Sequence, residues 1–206
     1  MRLTSGAFVR LAFLSALLAS CASSPAPSVW KEEAYLGGPV KKIFVIGAFT
    51  EGGIRKLVEK EFILRLASQG TEAIASHTVL STAAVEKYDA VLQIMKEQGC
   101  DAVILVRSPG KSRSGRPLLR TETDGAARRT LSDQWQEYYL QGYPAMPAYT
   151  WQKEHYGVET DLFEAVTGRS IWKATFDITV QGPVVQDVIP LVGIMVKQLR
   201  ADGMIR

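Results

Sequence analysis

The strongest constraint in the chain is a regular alternation of apolar runs that begins at Lys41. KKIFVIGAF is rich in β-branched and aromatic residues and ends around Gly47; after Thr50, the residues Ile54, Leu57, Val58, Phe62 and Leu66 recur at helical spacing. Gly70 closes that helix, TEAIASHTVL reads as a second strand, and Val85, Tyr88, Val91, Leu92 and Met95 mark a second helix over residues 83–98. Gly99 ends it, and DAVILVRS reads as a third strand. Strands that are apolar almost without interruption are buried on both faces, the habit of parallel strands sandwiched between helices. With right-handed crossovers, this order predicts a single α/β domain, a mixed sheet with helices packed on it in two or three layers.

Two later runs, VETDLFEAV and SIWKATFDITV, are separated by Thr167-Gly168-Arg169 and predict a hairpin joined to the same sheet. VVQDVIPLVGIMVKQLRADG predicts a last amphipathic helix, kinked near its start by Pro190. Between the two halves, residues 107–156 break the pattern. Arg107, Lys111, Arg113, Arg116, Arg120, Arg128 and Arg129 are opposed there only by Glu122 and Asp124, and Trp135, Tyr138, Tyr139, Tyr143, Tyr149, Trp151 and Tyr156 follow. Tyr, Trp and Arg carry binding energy in contact patches because they bury large areas with few rotors to freeze. One reading is an interaction surface built from Arg113, Arg116, Arg120, Trp135, Tyr138, Tyr139, Tyr143 and Trp151, taking an anionic or polar ligand: a partner protein, lipid headgroups or an envelope glycan. The other is a solvated loop followed by aromatics that cover a sheet face. The sequence leaves both open.

The first residues, MRLTSGAFVR, carry Arg2 and Arg10 and no acid, and LAFLSALLA follows. That apolar run is far shorter than the ~20 residues of a spanning helix, so residues 1–20 read as a signal peptide cleaved after Ser20. Leu18-Ala19-Ser20-Cys21 resembles the lipobox of bacterial lipoproteins. The likeness implies that the Cys21 thiolate is acylated and holds the protein on a bilayer, each buried methylene contributing ~0.8 kcal/mol. Residues 21–38 begin with small residues and prolines, end in a glycine pair and read as a tether. Trp30 and Tyr35 are its candidates for docking onto the domain over residues 39–206.

Charge and motif content exclude several functions. The leader's two arginines account for most of the +3 net charge, so no basic surplus is left for nucleic acid. With Cys21 committed to lipid, Cys100 has no disulfide partner and reads as a small core residue; 47% hydrophobic residues supply the core that must hold the domain instead. His77 and His155 stand in no ligand spacing, so no metal is expected. Ser76 and His77, as neighbours on a strand, would face opposite ways and form no hydrolase pair. GAFTEGG lies where phosphate loops occur but lacks their spacing, and its glycines read as turn formers. No cofactor and no enzymatic activity are expected.

With these elements placed, KKIFVIG, LASQGTEAIAS, GCDAVILVR and DLFEAVTGRSIWKA are similar to segments of small bacterial envelope lipoproteins. The α/β domain of those proteins is like the amino-terminal domain of TolB and the curli-secretion and penicillin-binding-protein-activator lipoproteins. The resemblance implies a non-enzymatic binding or assembly module that touches the bilayer through acylated Cys21 and an envelope protein as partner. Its alternative is an oligomeric structural component, with further copies of the chain as partners. Ala22 after the cysteine resembles the outer-membrane-sorted pattern, which implies an outer-membrane anchor facing the periplasm.

Overall fold

A computed structural model describes residues 27–111, 130–140 and 146–206. Six strands form one mixed sheet: β1 (Ser28–Lys31), β2 (Lys42–Ala48), β3 (Glu72–Ala75), β4 (Ala102–Lys111), β5 (Tyr149–Glu164) and β6 (Ser170–Pro183), in the order β1-β6-β5-β4-β2-β3. β2 pairs in parallel with both β3 and β4, while the β4/β5, β5/β6 and β6/β1 pairs are antiparallel. Helix α1 (Gly52–Ser68) crosses from β2 to β3. The short α2 (Ser76–Val79) and α3 (Thr82–Val85) and the longer α4 (Tyr88–Glu97) lead back to β4; α5 (Leu131–Leu140) precedes β5, and α6 (Val185–Ala201) follows β6.

Side-chain parity splits the interior into two cores, as the period of two in a strand requires. Ile43, Val45, Ile104, Val106 and Leu162 face α1 and α6, meeting Val58, Phe62, Leu66, Met195 and Leu199. Phe44, Ile46, Val103, Leu105 and Phe163 point the other way, toward Val91 and Met95 of α4 and Leu131 and Trp135 of α5. The architecture is therefore α/β with helices on both faces of a mixed sheet, and the predicted hairpin is its β5/β6 pair.

Several boundaries differ from the sequence reading, each for a local reason. The second strand stops at Ala75 and turns helical, because the Glu59 carboxylate takes the His77 amide at 2.8 Å. The single helix predicted over residues 83–98 is two: the Ser81 hydroxyl caps α3 by accepting from Ala84 N, and α4 restarts after Lys87. β4 runs on through Pro109 to Lys111, with a register shift between Arg107 and Gly110 that accommodates a residue unable to donate a ladder hydrogen bond. Part of the tether is a strand, since Ser28–Lys31 pairs with Thr175–Trp172 of β6, and the Lys31 ammonium donates to Asp202 O. α6 carries Pro190 inside a continuous helix. Gly47 is a strand residue: a Cβ there would lie 3.2 Å from the Phe49 ring and 3.4 Å from the Arg55 backbone, so the glycine lets α1 approach β2.

Candidate functional site

The antiparallel strands outgrow the sheet at one end. β4 ends at Lys111 opposite Tyr156, and β1 starts at Ser28 opposite Thr175, whereas β5 begins at Tyr149 and β6 continues to Pro183. Beyond those points, among the described residues, β5 and β6 pair only with each other, as a two-stranded arm with two open edges. The register shifts between Thr150 and Glu154, so that residues 151–153 of β5 bulge opposite Gln181. A bulge re-aims side chains. It leaves Trp151 86% exposed, with its ring 4.8 Å from the half-exposed Tyr149 in an edge contact.

A groove of about 530 Å³ runs beside this aromatic pair, lined also by Lys111, Pro147, Gln152 and Glu154. A charge-assisted clamp forms one wall: Lys111 Nζ lies 2.6 Å from Glu154 Oε1, and the Tyr156 hydroxyl donates to Oε2 at 2.5 Å. The hydrogen bond from Lys111, then the one from Tyr156, pulls the Glu154 pKa below the usual carboxylate range. Burial, reinforced by the bond to Glu154, pushes that of Tyr156 up. Because the folded-state pKa of Glu154 is depressed, the clamp is fully formed above the ordinary glutamate range and opens as pH falls through the lowered value. In a carboxyl-resolved NMR titration, Glu154 is expected to titrate below the free-chain value, and Lys111→Ala to bring it back up.

A second polar cluster lies at the same end of the sheet but is closed. Glu59 of α1 is fully buried, and its Oε1 accepts from Gly47 N at 3.0 Å, Arg55 Nε at 3.0 Å and Ser76 Oγ at 2.6 Å. Oε2 accepts from His77 N at 2.8 Å and lies 2.6 Å from His77 Nδ1, which carries the proton when it faces a carboxylate. Arg55 Nη2 also donates to Ser76 Oγ at 2.8 Å. The expectation that Ser76 and His77 face opposite ways is thus overturned, since α2 replaces the strand there and both side chains converge on Glu59. Ser76 still gives its proton to the carboxylate and not to the imidazole, so the pair builds no nucleophile. The sequence reading missed this network. Its signal is Arg55 and Glu59 at i,i+4 on the sector of α1 that carries Ile54, Val58 and Phe62.

A third charged group crosses the sheet face on the α4/α5 side. Arg107 of β4 is ion-paired with Glu159 of β5, and Lys173 Nζ of β6 lies 3.7 Å from both Glu159 Oε2 and Asp161 Oδ1. His155 Nδ1 is 3.0 Å from Thr179 Oγ1 on the arm. Cys100 is half-buried, with its thiol pKa raised chiefly by burial, which disfavours the reactive thiolate. Among the described residues, no three His, Cys, Asp or Glu side chains gather to hold a metal ion, and no helix is long and apolar enough to cross a membrane.

The predicted interaction surface is divided by the structure. Trp135 is 3% exposed, its indole N–H donates to Glu86 O at 3.1 Å, and its ring stacks in the second core between Tyr88 at 5.7 Å and Tyr139 at 4.8 Å. Tyr139 packs on the same core, and its hydroxyl pKa is pushed up by burial. Both side chains cover the sheet and do not present a surface. Among the described side chains of this set, Trp151 is the one placed in solvent. Tyr138 lies on α5; Ser20, Cys21, Arg113, Arg116, Arg120 and Tyr143 fall outside the described residues.

No family model matches the chain and no curated protein matches it. Solved structures similar to it include two of PelC dodecamers from Paraburkholderia phytofirmans. One, of a variant, has TM-score 0.45 and 12% identity, covering 84% of this chain and 98% of that one. The other has TM-score 0.44 and 12% identity, covering 83% and 96%. The lipoprotein GNA1162 from Neisseria meningitidis is similar at TM-score 0.42 and 12% identity, with 78% and 99% covered. At that distance the site is read from its own geometry.

Proposed function

We propose that this protein is a non-enzymatic binding or assembly module of the bacterial cell envelope, anchored by acylated Cys21 to the outer membrane and facing the periplasm, with a domain of the TolB amino-terminal type. The observation that carries the reading is the arm. Among the described residues no strand pairs with its outer edge, Phe176–Pro183 of β6, and an edge of that kind takes an added strand from a partner. The acid and base side chains described above are spent on one another: Glu59 on five donors, Arg107 on Glu159, Glu154 on Lys111 and Tyr156. An envelope protein is the expected partner; the alternative is a second copy of the chain, for which the same open edge speaks.

A photo-crosslinking residue in place of the exposed Gln181 tests both. The expected result is a specific crosslink in living cells, and its mass tells another protein from a second copy. A position on α4 such as Gln93 serves as the control, and equal labelling there would remove the support for the edge. In the same cells Cys21→Ser is expected to move the protein out of the membrane fraction, and an unchanged fraction would overturn the anchor.

A further inference from the structure

The position of the arm relative to the tether points to something beyond partner binding: we infer that the arm tip, led by Trp151 and Tyr149, is a second membrane contact that sets the domain upright on the bilayer. The inference rests on the reading of Cys21 as the acylated anchor. Three independent features of the fold converge on it.

The first is direction. β1 is antiparallel to β6, with Ser28 opposite Thr175 and Lys31 opposite Trp172. The chain therefore enters the fold from the side on which β6 runs on toward Pro183, which is the side where the arm projects. The second is length. The stretch from Cys21 to Ser28 reaches at most about 25 Å when fully extended, at ~3.3–3.6 Å per residue. From the Thr175 row, level with Ser28, to the Gln181 row, level with Trp151, the arm advances about 20 Å at ~3.4 Å per residue. An anchor at Cys21 can thus reach a bilayer surface at the level of the arm tip.

The third is chemistry. At the tip stand the exposed Trp151, the half-exposed Tyr149 and, on the first turns of α6, the part-exposed apolar Val185 and Ile189. Trp and Tyr are the residues that favour the membrane–water interface, since their rings are apolar and their N–H or O–H groups seek water. Lys153, in the bulge and exposed, supplies a charge suited to anionic headgroups. With two points of attachment the domain no longer swivels freely on its tether. The open edge of β6 then runs along the line from the bilayer into the periplasm.

The test uses the full acylated chain, purified in detergent and reconstituted into vesicles of phosphatidylethanolamine with a minority of phosphatidylglycerol, with and without bromine-labelled acyl chains. Of the four tryptophans, Trp135 and Trp172 are buried and Trp30 sits back on β1 beside Lys173. Bromolipid is therefore expected to quench mainly Trp151, and Trp151→Phe to lose most of the quenching while keeping the protein on the vesicles. Protein that floats with the vesicles yet shows no quenching attributable to Trp151 overturns the membrane contact and leaves the anchor standing. Protein that fails to float overturns the anchor, and the contact with it.

Discussion

Trp135→Ala is expected to cost about 3–5 kcal/mol of stability, the usual range for emptying a large aromatic site in a core. The indole is 3% exposed, lies between Tyr88 and Tyr139, and ties α5 to the end of α3 through its bond to Glu86 O. Trp151→Ala, sixteen positions later in the same aromatic stretch, is expected to change stability by no more than about 0.5 kcal/mol, because its side chain is 86% exposed. Urea denaturation of the two variants side by side reads the contrast directly. Equal losses would mean that the stretch is not divided into core and surface as described.

Glu59→Ala is expected to be comparably severe, about 3–5 kcal/mol, by a different mechanism. The substitution removes the acceptor shared by Gly47 N, Arg55, Ser76 and His77 and leaves the Arg55 guanidinium buried without its partner. The companion change Arg55→Met with Glu59→Met tests the cause. Removing both charges and refilling the volume is expected to recover a large part of the loss, because the expensive state is the single uncompensated charge. A double variant no more stable than Glu59→Ala would shift the explanation to the backbone donors of Gly47 and His77.

The sheet was legible where hydrophobic pattern determines structure. KKIFVIGAF and DAVILVRS became adjacent parallel strands because nearly every side chain in them is apolar, and only a strand covered on both faces tolerates that. The hairpin was legible for a related reason, since Gly168, at φ 65°, supplies the left-handed residue that the turn needs. The early stop of β3 was hidden. TEAIASHTVL has strand-like composition throughout, and what ends it is a carboxylate from another element, which no local window contains. The same limit applies to the aromatic stretch: Trp135 and Trp151 are equivalent as letters. Their separation comes from a helix laid over Leu105 and Phe163 in one case and a bulge opposite Gln181 in the other.

The short strand at the start of the domain also has a mechanical meaning. β1 is four residues long, lies along the side of β6 that faces away from β5, and is the strand that the tether joins at its Ser28 end. Ladder hydrogen bonds stand perpendicular to the strands they join, so a pull on Ser28 along the strand axis acts across them. The whole ladder bears the load at once and must shear together, where a strand pulled sideways would unzip bond by bond. Drag on the domain or a tug from a partner is thereby passed to the sheet, through β6, before it can strip the chain away from its first point of support.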